Sequence, residues 1–407
     1  MNDININGEK NLNMNWLAVI LCILPILSPY ALFGMSLSLV VILGILGIYL
    51  IRYRGVYLHK TTGVMLFYML AISIVNALFT PNHSLNLGLS IRVSIIFFIY
   101  LLFFSNGWKF IDNSQDFFFI AVWFGKICAI LAIFQFVAVS LGYTNFYTGR
   151  LPFPLDEYST FASLVDPVTG ALRVHSFFEE PSYLAIYELP VFAYLFQRGN
   201  YLWSMVIAFS CVVSSSVLGI TGIIIIAIVL FFGSSISTNK KIQITFILII
   251  LLVLFLVIVN KSSSIQNLFD YYMRRYLSIG KDFSREDSSI SQRIVGNFQL
   301  FSKYNLYNKI CGVGINQYPI YFGLSQDYSN DFVSTLLNFG YFGIISLSLW
   351  ILALIRECKK QSIVYLIIVL LVLAIDHTWF SDNFFYLLSW FVFSGKRKGY
   401  VNLKFGK

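Results

Sequence analysis

Apolar segments of about 15 to 20 residues recur along most of the chain, and short polar connections separate them. Helices that cross a hydrocarbon core about 30 Å thick have this length, whereas a membrane β-barrel would show short segments alternating at every second residue. The pattern predicts an all-α polytopic integral membrane protein of about 12 transmembrane helices. The predicted spans are 16–33, 36–51, 62–80, 87–105, 116–140, 182–196, 201–216, 218–233, 242–260, 332–355, 362–378 and 383–394.

The composition excludes a water-soluble globular protein. Hydrophobic residues make up 58% of the 407 residues and charged residues 12%, whereas soluble domains carry about 25% charged residues. An apolar segment follows the polar stretch from Met1 to Asn15 directly, without a small-residue cleavage site, so we expect the first span to be retained. The five cysteines stand singly and predict neither a disulfide nor a metal site.

Basic residues fall on every second connection between the predicted spans. Because cytoplasmic connections carry an excess of Lys and Arg, this distribution puts both termini of the multi-pass protein in the cytoplasm. Topology then accounts for most of the net charge of +9, and we expect no nucleic acid partner. The basic residues concerned are Arg52, Arg54, Lys60, Lys109, Arg198, Lys240, Lys241, Arg356, Lys359, Lys360, Lys396, Arg397 and Lys398.

Two long connections interrupt the single membrane domain 1–407, and both are predicted to be extracytoplasmic. They cover residues 142–181 and 261–331. In the second, apolar residues at three- and four-residue steps predict an amphipathic helix over 265–277. Another helix can begin at Ser289, with Phe298 and Phe301 on its buried face.

The densest group of reactive side chains is RVHSFFEEPSY, Arg173 to Tyr183, which leads into the sixth predicted span. A guanidinium matches phosphate oxygens two at a time, and a carboxylate or imidazole can take a proton from an attacking hydroxyl. An ordinary polar entry segment, with Pro181 in the first helical turn, explains the same residues. Function and simple capping therefore both remain open for this segment.

Ionisable residues within apolar spans are costly and call for a partner or a wet cavity. Arg92 and Glu188 lie at similar depth below the predicted outer boundary and could border one cavity, and Lys126 lies near the middle of its span. A structural ion pair between one of the basic residues and Glu188 is the alternative.

Three later motifs contain glycines or polar residues. CGVGINQY, Cys311 to Tyr318, is typical of a tight turn and lacks the lysine of a phosphate-binding loop. YSNDFVSTLLNFGYFG, Tyr328 to Gly343, begins a span with polar residues and holds glycines inside it. DHTWFSDNFF, Asp376 to Phe385, has two acids and a histidine, with spacing too unspecific for a metal site.

The order of these motifs resembles the O-antigen polymerase and ligase superfamily over roughly residues 120 to 350. An Arg…Glu-Pro cluster opens a mid-chain span and is followed by SSSVLGITG, Ser214 to Gly222. A long loop with an arginine at a helix start, a GVG turn and an Asn-led span with GYFG come next. The resemblance implies a GT-C-like fold, substrates linked to undecaprenyl pyrophosphate, outer-loop arginines that hold the pyrophosphate, and a chain-length regulator as partner.

Two departures help to choose within this superfamily. Ligases resemble one another in having a catalytic histidine directly before the Asn of the late span, and here Ser329 precedes Asn330. This difference favours a polymerase. The first long connection is net acidic, unlike the basic loop expected in some polymerases, so a capture scheme with two basic loops does not carry over.

The first two short outer connections contain no Asp or Glu, which predicts a metal-independent reaction without cofactors.

The sequence therefore predicts a metal-independent glycosyltransferase that polymerises lipid-linked repeat units for O-antigen, capsule or exopolysaccharide. The alternatives are an O-antigen ligase-type transferase and a lipid-linked oligosaccharide flippase or transporter. Membrane lipids and undecaprenyl-pyrophosphate-linked oligosaccharides are the expected partners. We assign Glu179, Glu180, His175 and Arg173 to catalysis, Arg173, Arg293, Arg274, Arg275 and Arg92 to pyrophosphate binding, and Asn330, Asp331, Asp376 and His377 to sugar binding.

Overall fold

A computed structural model describes residues 16–53, 55–79, 87–111, 113–143, 146–156, 159, 161–165, 172–233, 297–324, 329–379, 381–395 and 400–404. Over these ranges the chain is mostly α-helical, as the hydropathy pattern predicts. The helices are α1 (Trp16–Leu27), α2 (Leu37–Tyr53), α3 (Lys60–Phe79), α4 (Leu87–Phe110), α5 (Ser114–Ser140), α6 (Pro181–Gln197), α7 (Tyr201–Val213), α8 (Val217–Gly233), α9 (Asn297–Ser302), α10 (Leu306–Cys311), α11 (Tyr318–Phe322), α12 (Asp331–Glu357), α13 (Ile363–Ile375) and α14 (Asp382–Ser394).

Two small antiparallel sheets accompany the helices. Strands β1 (Ala31–Leu32) and β2 (Met35–Ser36) form a hairpin between α1 and α2. Strand β3 (Gly55–His59) pairs with β4 (Tyr400–Lys404) near the carboxyl end of the chain. Hydropathy predicted neither sheet. The first predicted span was also too long, because α1 ends at Leu27 and the next residues turn back into the β1–β2 hairpin.

Within the described residues, three helices are long and apolar enough to cross a membrane. They are α4, α5 and α12, and the last two have 27 residues each. The other described helices are shorter. Helices α7, α13 and α14 have 13 residues each, which corresponds to a length of about 20 Å. The apolar helices indicate a membrane protein, while the count of about twelve spans stays a prediction. The predicted span 242–260 lies outside the described residues.

Large apolar side chains are exposed along the outer sides of the long helices. Helix α5 exposes Phe119, Trp123 and Phe134, and α12 exposes Leu349 and Leu352. A contiguous apolar surface of this kind is unfavourable in water. Lipid contact accounts for it.

Helix α14 forms the centre of the bundle, with every residue from Asp382 to Phe393 buried. Its Tyr386 ring stacks on Tyr187 of α6 at 4.4 Å between centroids. The indole Nε1 of Trp108 on α4 donates to Ser389 Oγ at 2.7 Å. The last predicted span is therefore an interior helix that the other elements surround.

Contacts between distant segments define the two ends of the bundle. At one end, Asp331 N at the start of α12 donates to Asp376 O at 3.0 Å, in the connection between α13 and α14. The segments 146–156 and 172–180 lie at this end too, and we call it the loop end. At the opposite end, Thr61 at the start of α3 donates to Glu357 at the last residue of α12. Because β3 and β4 lie there, we call it the β3–β4 end.

A glycine kink divides α12, and the predicted tight turn at Cys311–Tyr318 packs against it. Gly340 has φ 62°, outside the helical range. Just before the kink, Asn338 O accepts a hydrogen bond from Gly314 N at 2.8 Å. A Cβ on Gly312 would lie 2.2 Å from Asn338 O. The GVG turn therefore contacts Asn338, two residues before the GYFG segment.

The predicted amphipathic helix over 265–277 lies outside the described residues, as does the start of the one at Ser289. The described part of the second is α9, in which Phe301 is 8% exposed but Phe298 is 52% exposed. The prediction that both face the core is wrong for Phe298. Phe301 alone reaches the neighbouring aromatic rings, with its centroid 5.4 Å from that of Tyr341 on α12.

We predict that Gly340→Ala destabilises the protein. The added Cβ would lie 2.5 Å from the backbone oxygen of Ile310, at a positive φ. We expect a loss of about 2 kcal/mol or more of folding stability, seen as a lower Tm in detergent. Gly44→Ala is the control, since nothing lies within 4 Å of its Cβ position. Equal Tm values for the two variants would contradict the packing described at the kink.

Candidate functional site

A single buried amide on α5 holds the segment that contains RVHSFFEEPSY. Gln135 Oε1 accepts hydrogen bonds from Ser176 N at 2.8 Å and from His175 N at 3.3 Å. Its Nε2 donates to Ser176 O at 3.2 Å and to Tyr147 O at 3.1 Å. A glutamine in an apolar helix is costly unless its polar atoms are bonded, and here four backbone groups bond it. Gln135 therefore joins two segments of the first long connection, 146–156 and 172–180, to the helix bundle.

Ser176 and Gly149 lock these two parts together. Ser176 has a positive φ of 56°, a conformation that costs free energy for any residue other than glycine. Gly149 also has a positive φ, and a Cβ there would lie 1.6 Å from Ser176 O. Only glycine permits this approach of the two backbones.

His175 lies inside this segment and is fully buried. Its Nε2 is 2.9 Å from the carbonyl oxygen of Ala162. Burial lowers the pKa of the imidazole, and the contact of Nε2 with the Ala162 carbonyl opposes this shift. The ring therefore helps to fix the loop, and the predicted catalytic role of His175 stays a prediction.

The other predicted residues of this segment are more accessible. Arg173 is half-buried, and its backbone N donates to Leu164 O at 2.8 Å. Glu179 is also half-buried, and its backbone O accepts from Ala162 N at 2.9 Å. Glu180 is exposed, directly before Pro181, and its side chain makes no capping hydrogen bond to α6. The structure thus places Arg173, Glu179 and Glu180 in one folded segment that leads into α6.

Among the described residues, the ionisable side chains inside the helices do not form the ion pair given above as the alternative to a shared cavity. Glu188 is buried, where Ser210 Oγ donates to its Oε2 and Cys211 Sγ lies 3.4 Å from the same atom. Arg92 is exposed on α4. Lys126 Nζ lies 4.5 Å from the ring centroid of Trp203, a cation–π contact.

A second cluster brings together the four residues predicted to bind sugar. Asn330 caps α12, with Oδ1 accepting from Val333 N at 2.9 Å and Nδ2 donating to Ala374 O at 2.9 Å. Asp376 Oδ1 accepts from His377 N at 2.9 Å. His377 Nδ1 lies 3.3 Å from Asp331 Oδ1. Sugar binding by this cluster stays a prediction.

Asp331 is the most firmly held residue of the second cluster. Its carboxylate is fully buried and accepts from Thr378 N at 2.9 Å, from Thr378 Oγ1 at 2.7 Å and from Trp379 N at 2.8 Å. These bonds tie the start of α12 to the α13–α14 connection. His377, whose side chain is 28% exposed, is the more accessible partner of the contact.

Three of the residues assigned to pyrophosphate binding, Arg274, Arg275 and Arg293, lie outside the described residues. Over the ranges that the structure describes, no group of three or more His, Cys, Asp or Glu side chains could hold a metal ion.

Sequence reasoning missed Gln135, Ser176 and Thr378, which hold the two clusters in place. Gln135 was detectable as a polar residue within an apolar span, where a polar side chain normally has a partner. Ser176 and Thr378 gave no such signal, because serine and threonine are common in turns. Their roles depend on contacts that only the folded chain creates.

We predict that Gln135→Leu loosens the first long connection. The substitution leaves four backbone groups without their side-chain partner, and a buried unsatisfied group costs about 1–3 kcal/mol. We expect a lower Tm and faster proteolysis between residues 146 and 180. Gln115→Leu is the matched control, because Gln115 is exposed on the same helix, where it accepts from Tyr194 and Arg198. If both variants resist protease like the wild type, Gln135 does not anchor the loop.

Comparison with known proteins adds no assignment to this site. No protein-family model matches the chain. No curated protein matches it at a significant level.

Proposed function

We propose that the protein is a polysaccharide polymerase of the cytoplasmic membrane. It transfers a growing glycan from undecaprenyl pyrophosphate to a lipid-linked repeat unit, on the outer face of the membrane. The main support for this proposal is the set of side chains at the loop end. There the folded segment with Arg173, Glu179 and Glu180 and a cluster with Asp331 and His377 lie at the same end of an apolar helix bundle. A lipid-linked substrate presents its pyrophosphate and sugars where apolar helices meet water.

The distribution of positive charge supports an outward-facing loop end. Lys60 begins α3, Lys109 lies in the last turn of α4, and Arg198 follows α6. Arg356 lies in the last turn of α12. These residues are all at the β3–β4 end, so the positive-inside bias favours a cytoplasmic β3–β4 end and an extracytoplasmic loop end. With twelve spans, both termini would be cytoplasmic.

The contact between the glycine motifs supports the family to which we assign the chain. The resemblance to O-antigen polymerases rests partly on the GVG turn and the GYFG segment. Gly314 N donates to Asn338 O, two residues before the Gly340 kink, so the GVG turn packs against the helix turn that leads into GYFG. This contact gives a physical reason for the two motifs to occur in the same chain.

The chemistry fits the side chains. Undecaprenyl pyrophosphate is already a good leaving group, so the reaction needs positive charge near its oxygens more than it needs an acid. Arg173 supplies a guanidinium in the folded segment before α6, and Arg293, Arg274 and Arg275 supply three more in the second long connection. Arg92, exposed on α4, adds a fifth. Fixed guanidinium groups stabilise the anion that develops when the glycosidic bond breaks.

We predict that Arg173→Ala lowers the polymerisation rate by about 100-fold or more, since removing one stabilising donor has this effect on developing anions. The assay uses purified protein in detergent with lipid-linked repeat units, and it measures glycan length by gel and mass spectrometry. Arg173→Lys keeps the charge but loses bidentate contact, so its rate should be intermediate. Arg150→Ala, an exposed arginine of the same connection, is the matched control.

Two results would contradict the proposal. Covalent glycan length that never changes with wild-type protein would exclude a polymerase, since a flippase or transporter moves its substrate without extending it. Wild-type length and yield in both Arg173→Ala and Arg293→Ala would remove the arginines from the mechanism.

A further inference from the structure

A second buried acid lies at the loop end, Asp382 at the start of α14. Its side chain is fully buried. Among the residues that the structure describes, neither Oδ1 nor Oδ2 has a hydrogen-bond partner, and no described lysine, arginine or histidine forms an ion pair with it. A buried carboxylate without a partner is strongly destabilising. Its charge therefore calls for a partner that the described side chains do not supply.

Hydroxyl groups from three other parts of the fold neighbour this carboxylate. Ser28 just after α1, Ser38 at the start of α2 and Tyr100 on α4 all lie close enough to influence its ionisation. Ser38 and Tyr100 share a hydrogen bond of 2.9 Å, and Ser38 shares another of 2.6 Å with Ser36. Ser38 is fully buried and Tyr100 is 5% exposed. One carboxylate and several hydroxyl oxygens thus meet inside the bundle.

We propose that Asp382 and the hydroxyls of Ser28, Ser38 and Tyr100 bind a monovalent cation of the size of Na⁺ or K⁺. Hard cations take carboxylate and neutral oxygen atoms as ligands. The carboxylate supplies one negative charge, so a monovalent ion leaves the buried site neutral. A divalent ion would leave one positive charge uncompensated in the apolar interior.

Protonation of Asp382 is the other way to remove its charge, and it leaves polar atoms unsatisfied. A neutral carboxyl carries an O–H that needs an acceptor, and neither oxygen is hydrogen-bonded to any group that the structure describes. The bond between Ser38 and Tyr100 uses one hydroxyl hydrogen, so oxygen lone pairs remain on both residues. A cation contacts the carboxylate and the hydroxyl oxygens together and so satisfies all of them.

The cation has a structural role in this proposal, which does not depend on the proposed function. Helix α14 begins at Asp382, directly after the connection in which Thr378 holds Asp331. Ser28 and Ser38 flank the β1–β2 hairpin. An ion at this position joins the hairpin, α4 and α14, and it therefore stabilises the loop end from beneath.

The first test compares the Tm of purified wild-type protein in detergent in sodium chloride, potassium chloride and choline chloride at equal ionic strength. Choline is too large for a group of hydroxyls inside a helix bundle. We expect Na⁺ or K⁺ to raise the Tm saturably by about 3 °C or more, because an ion that binds only the folded state stabilises it. The same Tm in all three salts, with no saturable binding of radioactive Na⁺, overturns the proposal.

Three variants locate the site. Asp382→Asn keeps the shape of the side chain and removes its charge, so the response of the Tm to Na⁺ and K⁺ should be lost. Asp116→Asn is the matched control, because Asp116 has a carboxylate that accepts from Asn113 Nδ2 on the first turn of α5, and it should keep the response. Tyr100→Phe removes one hydroxyl and keeps the acid, so the apparent affinity for the ion should fall by about 10-fold.

The variants can also overturn the proposal. If Asp382→Asn responds to the salts like the wild type, the ion binds elsewhere. If Asp382→Asn does not fold, Tyr100→Phe decides: a lower affinity supports the site, and an unchanged affinity overturns it. None of these measurements uses a glycan, so failure of this inference leaves the proposed function standing, and failure of the proposed function leaves this inference standing.

Discussion

Backbone polar groups in an apolar environment must find their hydrogen-bond partners inside the protein. At the loop end, three sets of hydrogen bonds provide such partners. Gln135 binds four backbone groups of the first long connection. Asp331 accepts hydrogen bonds from the backbone of the connection between α13 and α14. Gly314 donates to the carbonyl that the Gly340 kink exposes. Each contact lets the chain leave helical geometry among apolar helices.

These contacts separate residues that hold the structure from residues that a substrate can reach. Gln135, His175 and Asp331 are fully buried, and their polar atoms serve the fold. Glu180 and part of His377 are accessible at the same end. Rigid support beneath accessible groups is what a transfer reaction requires, because reacting atoms must be held close to the productive geometry. The reaction proposed here uses that support in both clusters.

Hydropathy predicted the helices well where the environment is apolar. The predicted span 116–140 corresponds to α5, Ser114–Ser140, and 182–196 corresponds to α6, Pro181–Gln197. The end of α1 at Leu27 and the pairing of β3 with β4 escaped prediction. Apolar residues continue past Leu27, so composition alone cannot mark the turn, and strand pairing across more than 300 residues depends on where the helices bring the chain.

The site was predictable by residue type but not by role. The motifs pointed to both clusters, and the four residues assigned to sugar binding do lie together. The burial of His175 and the fixed position of Asp331 depend on packing among helices, which local sequence does not encode. The contact of His377 with Asp331 joins residues 46 positions apart, so no spacing rule would have indicated it.

The most direct test of the central claim is a gel of surface and lipid-linked glycans from the native host after deletion of this gene. A polymerase predicts that the long ladder collapses to single repeat units that still reach the cell surface. An unchanged ladder, full-length polymer that accumulates on the lipid carrier, or single units trapped at the cytoplasmic face would each contradict the account.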